Sequence, residues 1–92
     1  MNFLDFKTPS ELAMVIAENC RKQRKKQNMT MKTLSEKSMI PYSTLKRFEY
    51  TGEISLISLL KIAVVLDCTA SFEKLFVQDH IESIQEILNG TV

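Results

Sequence analysis

Residues 30–49, which read TMKTLSEKSMIPYSTLKRFE, carry the signals for two short helices separated by a tight turn. The hydroxyl of Thr30 is suited to capping the unpaired amides at a helix start, so the first helix is predicted to run to about Lys37. Ser38-Met39-Ile40 then interrupts the helical pattern. Pro41 follows at a position that proline tolerates, the start of a helix, and we expect that second helix to occupy the rest of the segment. The segment is therefore predicted to be a helix-turn-helix.

The second of these helices has one apolar face and one polar face. The positions of the segment predicted to point inward are Leu34, Ile40, Leu45 and Phe48. The outward positions of the second helix are Tyr42, Ser43, Lys46 and Arg47. Hydroxyl groups donate to or accept from the edges of DNA bases, and an arginine pairs with guanine through two hydrogen bonds. The pattern favours DNA reading over the alternative, a helical hairpin whose polar face is merely solvated.

The charge of the chain is divided unevenly along its length. Residues 1–52 hold ten Lys/Arg and five Asp/Glu, a net +5, whereas residues 53–92 hold two and six, a net −4. Within residues 20–48 the count is nine basic to one acidic, a net +8. A concentrated basic surface favours a polyanionic partner. Within this stretch Thr30 and Lys32 are predicted phosphate contacts, because the first turn of their helix also offers free amides to a phosphate. Thr44 is predicted as a further phosphate contact.

Helices are also predicted on both sides of this segment. Thr8 and Glu11 form a capping box ahead of a helix that fades near residues 27–28, with Leu12, Ile16 and Cys20 on its buried face. A further helix is expected from Leu56 to Leu66; it is apolar almost all round and is predicted to be central. Two more are expected, one from Thr69 through Phe72, Leu75 and Phe76, and one from Asp79 to Gly90. The chain is thus expected to be all-α.

Length and composition exclude several classes of protein. Ninety-two residues make one small domain, and only 2 Gly and 2 Pro argue against turn-rich β folds. No apolar run approaches the ~18 residues that a bilayer crossing needs. The first eight residues lack the basic region that begins a secretory signal, so such a signal is not expected. Two cysteines and one histidine lack metal-ligand spacing, so we expect reduced thiols, no metal, no cofactor and a cytoplasmic location. No nucleophile has an evident base, so an enzyme is not expected.

Five features of the sequence recur together in a known pattern. They are Arg21 with Arg24, TMKTLS at 30–35, PYSTLKRFE at 41–49, Gly52, and LISLLKIAVVL at 56–66. On these features, residues 12–76 resemble the lambda-repressor-like helix-turn-helix domains of the XRE family. The resemblance implies a five-helix DNA-binding domain, here residues 8–77, followed by a short helical appendix over residues 78–92.

The same resemblance implies roles for particular residues. The helix over residues 42–49 would read the major groove with the four outward residues named above. An ion pair between Arg24 and Glu49 would tie the first helix to the end of that reading helix, as a structural rather than a base-reading contact. The implied function is a sequence-specific transcriptional regulator, a repressor, acting as a homodimer on a pseudo-palindromic operator in double-stranded DNA.

The chain departs from the family pattern at three positions. Met31 stands where a glutamine that contacts phosphate and base is common. Met39 stands where the turn usually has glycine, and a left-handed backbone there costs about 1 kcal/mol or more. Pro41 stands where a capping serine or threonine is usual.

Two alternatives to a repressor remain from the sequence. One is an antitoxin that holds a toxin or a kinase and represses its own operon; the acidic second half would give a basic partner somewhere to dock. The other is a module for protein interaction alone. The apolar stripe Ile81, Ile84, Ile87 and Leu88, and the tail residues Phe3, Leu4 and Phe6, are predicted to pack on the domain, on a twin or on a partner. A neighbouring toxin gene would favour the antitoxin, and failure to retain DNA at any salt concentration would favour the module.

Overall fold

A computed structural model describes residues 7–78, and within that range the chain is all-α. Its five helices are α1 (Pro9–Lys26), α2 (Met31–Ser38), α3 (Tyr42–Thr51), α4 (Leu56–Val65) and α5 (Ala70–Glu73). The prediction of an all-α, five-helix fold is confirmed. The predicted helix over residues 79–90, the apolar stripe within it and the apolar tail residues all lie outside the described residues.

Side-chain caps define where three of the helices begin. Thr8 accepts a hydrogen bond from the Glu11 amide at 3.1 Å, and the Glu11 carboxylate accepts one from the Thr8 amide, which completes the capping box. Thr30 caps α2 by accepting from the Thr33 amide, and Ser55 caps α4 by accepting from the Ser58 amide. As the sequence predicted, Pro41 gives α3 no side-chain cap. These caps satisfy amides that the helices cannot pair internally.

The core is small and lies where α2 and α3 pack against α1 and α4. Its largest fully buried side chains are Phe48, Leu34, Leu45 and Ile62. The predicted inward positions of the helix-turn-helix are confirmed, since none of the four is more than 3% exposed. They are Leu34, Ile40, Leu45 and Phe48. Burying an aliphatic or aromatic side chain stabilises a fold by about 1.5–3 kcal/mol. The polar face of α3 is consequently held outward by the residues on its other side.

The predicted buried face of α1 is wrong for two of its residues. Leu12 is 51% exposed and Ile16 is 38% exposed, whereas Ala17 on the adjoining face is fully buried. The reason is close packing against the end of α3. Gly52 has φ +80°, and a Cβ atom there would lie 2.8 Å from the carbonyl carbon of Ala13. Small residues on α1 therefore face α3, and the larger ones are turned aside.

Two further expectations need correction. The fourth helix is not buried all round, because Leu56, Ile57 and Val64 are between 61% and 66% exposed while Ile62 and Ala63 are buried. The fifth helix is shorter than predicted, since it ends at Glu73 and Thr69 makes no side-chain cap. With so few elements, α4 has neighbours on one face only within residues 7–78.

One buried ion pair fastens α1 to the end of α3. Arg24 Nε donates to Glu49 Oε2 at 2.8 Å, and Arg24 Nη2 donates to Glu49 Oε1 at 3.0 Å. Arg24 is 7% exposed and Glu49 is 3% exposed. The remaining guanidinium nitrogen donates to the Met29 carbonyl, while Arg21 donates to the Glu49 carbonyl at 2.7 Å. The pair thus connects three parts of the domain: α1, α3 and the loop that precedes α2.

We expect Arg24→Ala to destabilise the domain by about 3–5 kcal/mol, because the buried Glu49 carboxylate would lose both short hydrogen bonds from Arg24 and keep the longer, 3.6 Å ion pair with Arg21 Nε. Thermal or urea unfolding measures the loss. Lys22→Ala is the matched control, since Lys22 pairs with Glu18 on the exposed face of the same helix. That control should cost less than about 0.5 kcal/mol. Equal losses in the two variants would show that the buried pair has no special role.

The turn between α2 and α3 contains a strained residue. Met39 has φ 59° and ψ 37°, the left-handed conformation, and its side chain is 84% exposed. Its amide donates to the carbonyls at the end of α2, and the Ile40 amide donates to the Ser35 carbonyl at 3.2 Å. Left-handed backbone is costly for any residue with a Cβ atom. The hydrogen bonds of the turn and the burial of Ile40 hold Met39 there.

Met39→Gly should therefore raise the free energy of unfolding by up to about 1 kcal/mol, since glycine adopts this conformation without strain. Glu36→Gly, at an exposed position of the preceding helix, is the control and should lower it by about 1 kcal/mol. Chemical unfolding of both variants shows whether the free energy of unfolding rises in the first and falls in the second. A loss of stability in Met39→Gly would mean that the methionine contributes packing that outweighs the strain.

Candidate nucleic-acid interface

The outer face of α3 presents four polar or amphipathic side chains. Tyr42, Ser43, Lys46 and Arg47 are all exposed. Successive residues of a helix are turned by about 100°, which places positions 42, 43, 46 and 47 on one face. Leu45 and Phe48 occupy the opposite face and are buried, and Glu49 is buried in the last turns of α3 against Arg24. The structure thus brings together the four residues that the sequence predicted as base-reading.

The predicted phosphate contacts have different surroundings. Lys32 is exposed in the first turn of α2, where its ammonium group reaches solvent. The Thr30 hydroxyl accepts from the Thr33 amide at 3.0 Å, so it already serves as the helix cap. Thr44 is half-buried in the first turn of α3. Of the three, Lys32 has the charge and the exposure that a phosphate contact needs.

Arg47 is paired with an acidic residue that the sequence reading did not single out. Its guanidinium Nη2 forms an ion pair with Glu53 Oε2. The Thr51 hydroxyl donates to the Arg47 carbonyl at 2.7 Å and accepts from the Glu53 amide at 3.1 Å. These two hydrogen bonds of Thr51 fix the position of the Glu53 backbone relative to Arg47. Both charged side chains are more than 60% exposed, so the pair is readily exchanged for another partner.

Two possible kinds of reactive group within residues 7–78 are a cluster of metal ligands and the Cys20 thiol. No group of three His, Cys, Asp or Glu side chains lies within residues 7–78 in a position to hold a metal ion. Burial, and next the nearby Glu49 carboxylate, raise the pKa of the Cys20 thiol from 9.0 to about 11. A thiol with a raised pKa is mostly protonated at neutral pH and is a poor nucleophile. Cys20 therefore acts as a packing residue, as its position on α1 predicted.

Comparisons with known proteins agree with this geometry. A helix-turn-helix family model matches residues 21–72, which is 52 of the 92 residues. The match covers the last third of α1, the two helices of the motif, α4 and the first residues of α5. A search of curated proteins found no match. Among the helices within residues 7–78, none combines the length and the apolar character that crossing a membrane requires.

The match and the fold lead to one assignment. The matched residues contain the basic segment, the exposed face of α3 and the buried pair that fixes it. Proteins of this family are DNA-binding regulators that bind double-stranded DNA. The chain belongs to the XRE, or lambda-repressor-like, helix-turn-helix family.

Proposed function

We propose that the chain is a transcriptional repressor that reads its operator in the major groove with Tyr42, Ser43, Lys46 and Arg47. The observation that carries this proposal is the exposed face of α3, on which these four side chains lie together. A helix docked by its apolar side presents its polar side to the groove as a rigid surface. Hydroxyl and guanidinium groups then hydrogen-bond to base edges.

Phosphate contacts would supply most of the affinity. Residues 20–48 carry a net charge of +8, and Lys32 is exposed next to the start of α2. Contacts to phosphate release counterions from the DNA, so they strengthen binding to any sequence. In this scheme Lys32 anchors the domain on the backbone, with Thr30 and Thr44 beside it, while α3 selects the sequence.

The Arg47–Glu53 pair supports a role for Glu53 in selectivity. Without DNA, Glu53 holds the guanidinium of Arg47 at the carboxyl end of α3. An exposed pair contributes about 0–1 kcal/mol, so a guanine edge that makes two hydrogen bonds can displace the carboxylate. A contact with a single phosphate would stabilise Arg47 less than the guanine edge does, and the negative charge of Glu53 would also repel that phosphate. Glu53 thus weakens binding to unrelated DNA more than it weakens binding to the operator.

A homodimer would place two reading helices on the two halves of a pseudo-palindrome. The best-supported seam is the apolar run Leu75-Phe76-Val77, which follows α5. Phe76 is 98% exposed, and its neighbours are 54% and 64% exposed. Three exposed apolar residues in succession are typical of an association surface.

An antitoxin that represses its own operon is the second candidate. The −4 charge of residues 53–92 favours it, because a basic toxin would be attracted to that half while DNA occupies the other. Co-expression with each neighbouring gene product, followed by pull-down, separates this candidate from a repressor that acts alone.

Arg47→Ala should weaken operator binding by about 1–3 kcal/mol and leave binding to unrelated DNA nearly unchanged, because a guanine contact carries sequence information. Lys32→Ala should weaken both by similar factors and lower the slope of log affinity against log salt by about one. Gel shifts with the upstream DNA of the gene, at two salt concentrations, measure both effects. The assignment is wrong if Arg47→Ala keeps full discrimination at an unchanged melting temperature.

Glu53→Gln should tighten binding to unrelated DNA up to about fivefold, the equivalent of an exposed ion pair, and should narrow the gap between operator and unrelated DNA. Glu18→Gln removes an exposed acid from α1 and serves as the control. The same Glu53 change in an Arg47→Ala background should have little effect, since the two residues act as a pair. An equal gain in both backgrounds would instead indicate a general effect of charge.

Phe76→Asn should convert the dimer to a monomer and reduce operator affinity, because it removes the most exposed ring of the seam. Asparagine tolerates the left-handed backbone that Phe76 adopts, with φ 67°, so the fold should be unaffected. Light scattering gives the mass. Met39→Asn, an exposed residue of similar backbone conformation in the turn, is the control and should remain dimeric. A dimer that persists in Phe76→Asn places the seam elsewhere.

A further inference from the structure

A second surface feature of the domain is an apolar groove. It has a volume of about 280 Å³ and runs between α1, α4 and the start of α5. Its apolar walls are formed chiefly by Ile16, Cys20, Leu59, Ile62, Leu66 and Phe72. Leu12 lies one turn before Ile16 on the same face of α1, and both are exposed among the described residues. The groove therefore continues as an apolar strip along α1.

The shape and lining of the groove fit side chains of a protein segment better than a small ligand. Small-molecule sites are typically 300–1,000 Å³, enclose most of the ligand and contain converging polar groups. Here the polar residues Asn19, Gln23 and Ser71 accompany an otherwise apolar lining in an open groove. An apolar strip of this kind is suited to an amphipathic helix laid along it.

The chain itself contains such a helix pattern close to the groove. Ile81, Ile84 and Leu88 recur at the spacing of one helix face. A helix of about ten residues is unstable alone in water, so its apolar face requires a partner surface. Phe72 lines the groove, and Ile81 follows it by nine residues, which reach up to ~30 Å when extended. The segment can therefore reach the groove of its own domain.

Charge favours the same placement. Residues 79–88 contain Asp79, Glu82 and Glu86 and no lysine or arginine. Lys22 and Lys26 each follow a groove residue, Asn19 and Gln23, by three positions on α1. Residues three apart are neighbours on a helix surface, so both lysines border the groove, and the Lys22 ammonium also lies 3.6 Å from Glu18 Oε1. An acidic helix in the groove would face these lysines.

We propose that the segment 81–88 of the same chain fills this groove, with Ile81, Ile84 and Leu88 packed against the apolar residues of α1 and α4. Because only a short connection joins the segment to the groove, its effective concentration at its own domain is of millimolar order. A second copy of the chain at micromolar concentration is therefore outcompeted. The segment becomes part of the domain and leaves the run 75–77 to other contacts. This inference does not depend on DNA binding.

The thiol of Cys68, which lines the groove, supplies a reporter in the full chain. Its labelling by iodoacetamide is followed by mass spectrometry at several protein concentrations. Ile84→Asp places a charge on the apolar face of the segment, and Ser83→Asp adds the same charge off that stripe as the matched control. Circular dichroism melts show whether each variant is folded. Methyl NOEs between Ile84 and Ile16 or Leu59 in the unaltered chain give a readout that needs no variant.

We expect labelling of Cys68 to be roughly tenfold slower in the parent and in Ser83→Asp than in Ile84→Asp, at every concentration, as for a groove filled nine-tenths of the time. The NOEs should be present in the parent. Equal labelling rates in all three folded proteins, without NOEs, would overturn the proposal. Protection that grows with protein concentration, in step with a dimer mass, would also overturn it and assign the groove to a second copy.

Discussion

The buried pair between Arg24 and Glu49 is the contact on which the arrangement of the domain depends. Its two parallel hydrogen bonds fix the last turns of α1 against the end of α3, and its third nitrogen holds the loop that leads into α2. Buried ions of this kind are costly to separate, because each would remain without solvent or partner. Gly52 reinforces the contact, since only a residue without a Cβ atom lets α3 end this close to Ala13. The direction in which α3 presents its polar face follows from these two contacts.

The polar face of α3 and its surroundings show how stability and recognition are kept apart in so small a chain. Residues that hold the fold, such as Leu45 and Phe48, occupy one side of α3, and residues available to DNA occupy the other. The strained turn at Met39 lies between the two helices of the motif and is held by hydrogen bonds and by Ile40. Changes on the outer side are therefore expected to alter binding with little effect on folding.

Much of the fold could be predicted from the sequence because its signals are local. Caps at Thr8, Thr30 and Ser55 define helix starts through hydrogen bonds within four residues. The inward residues of the helix-turn-helix follow from helical periodicity and the apolar character of their side chains. The face of α1 could not be predicted, because Leu12 and Ala13 both fit a helix and it is the close approach of Gly52 to α1 that favours the smaller residue. Glu53 was missed for a related reason, since its pairing with Arg47 arises after the chain reverses at Gly52.

The most direct test of this account replaces both members of the buried pair at once. In an Arg24→Met, Glu49→Leu double variant, apolar side chains of similar length fill the space, which is often neutral or stabilising. Thermal unfolding and operator binding are then measured on the same preparation. The account predicts a melting temperature near that of the parent and an operator affinity within about threefold, because the pair only positions α3. A well-folded double variant that has lost operator binding would contradict it and would show that the pair takes part in recognition itself.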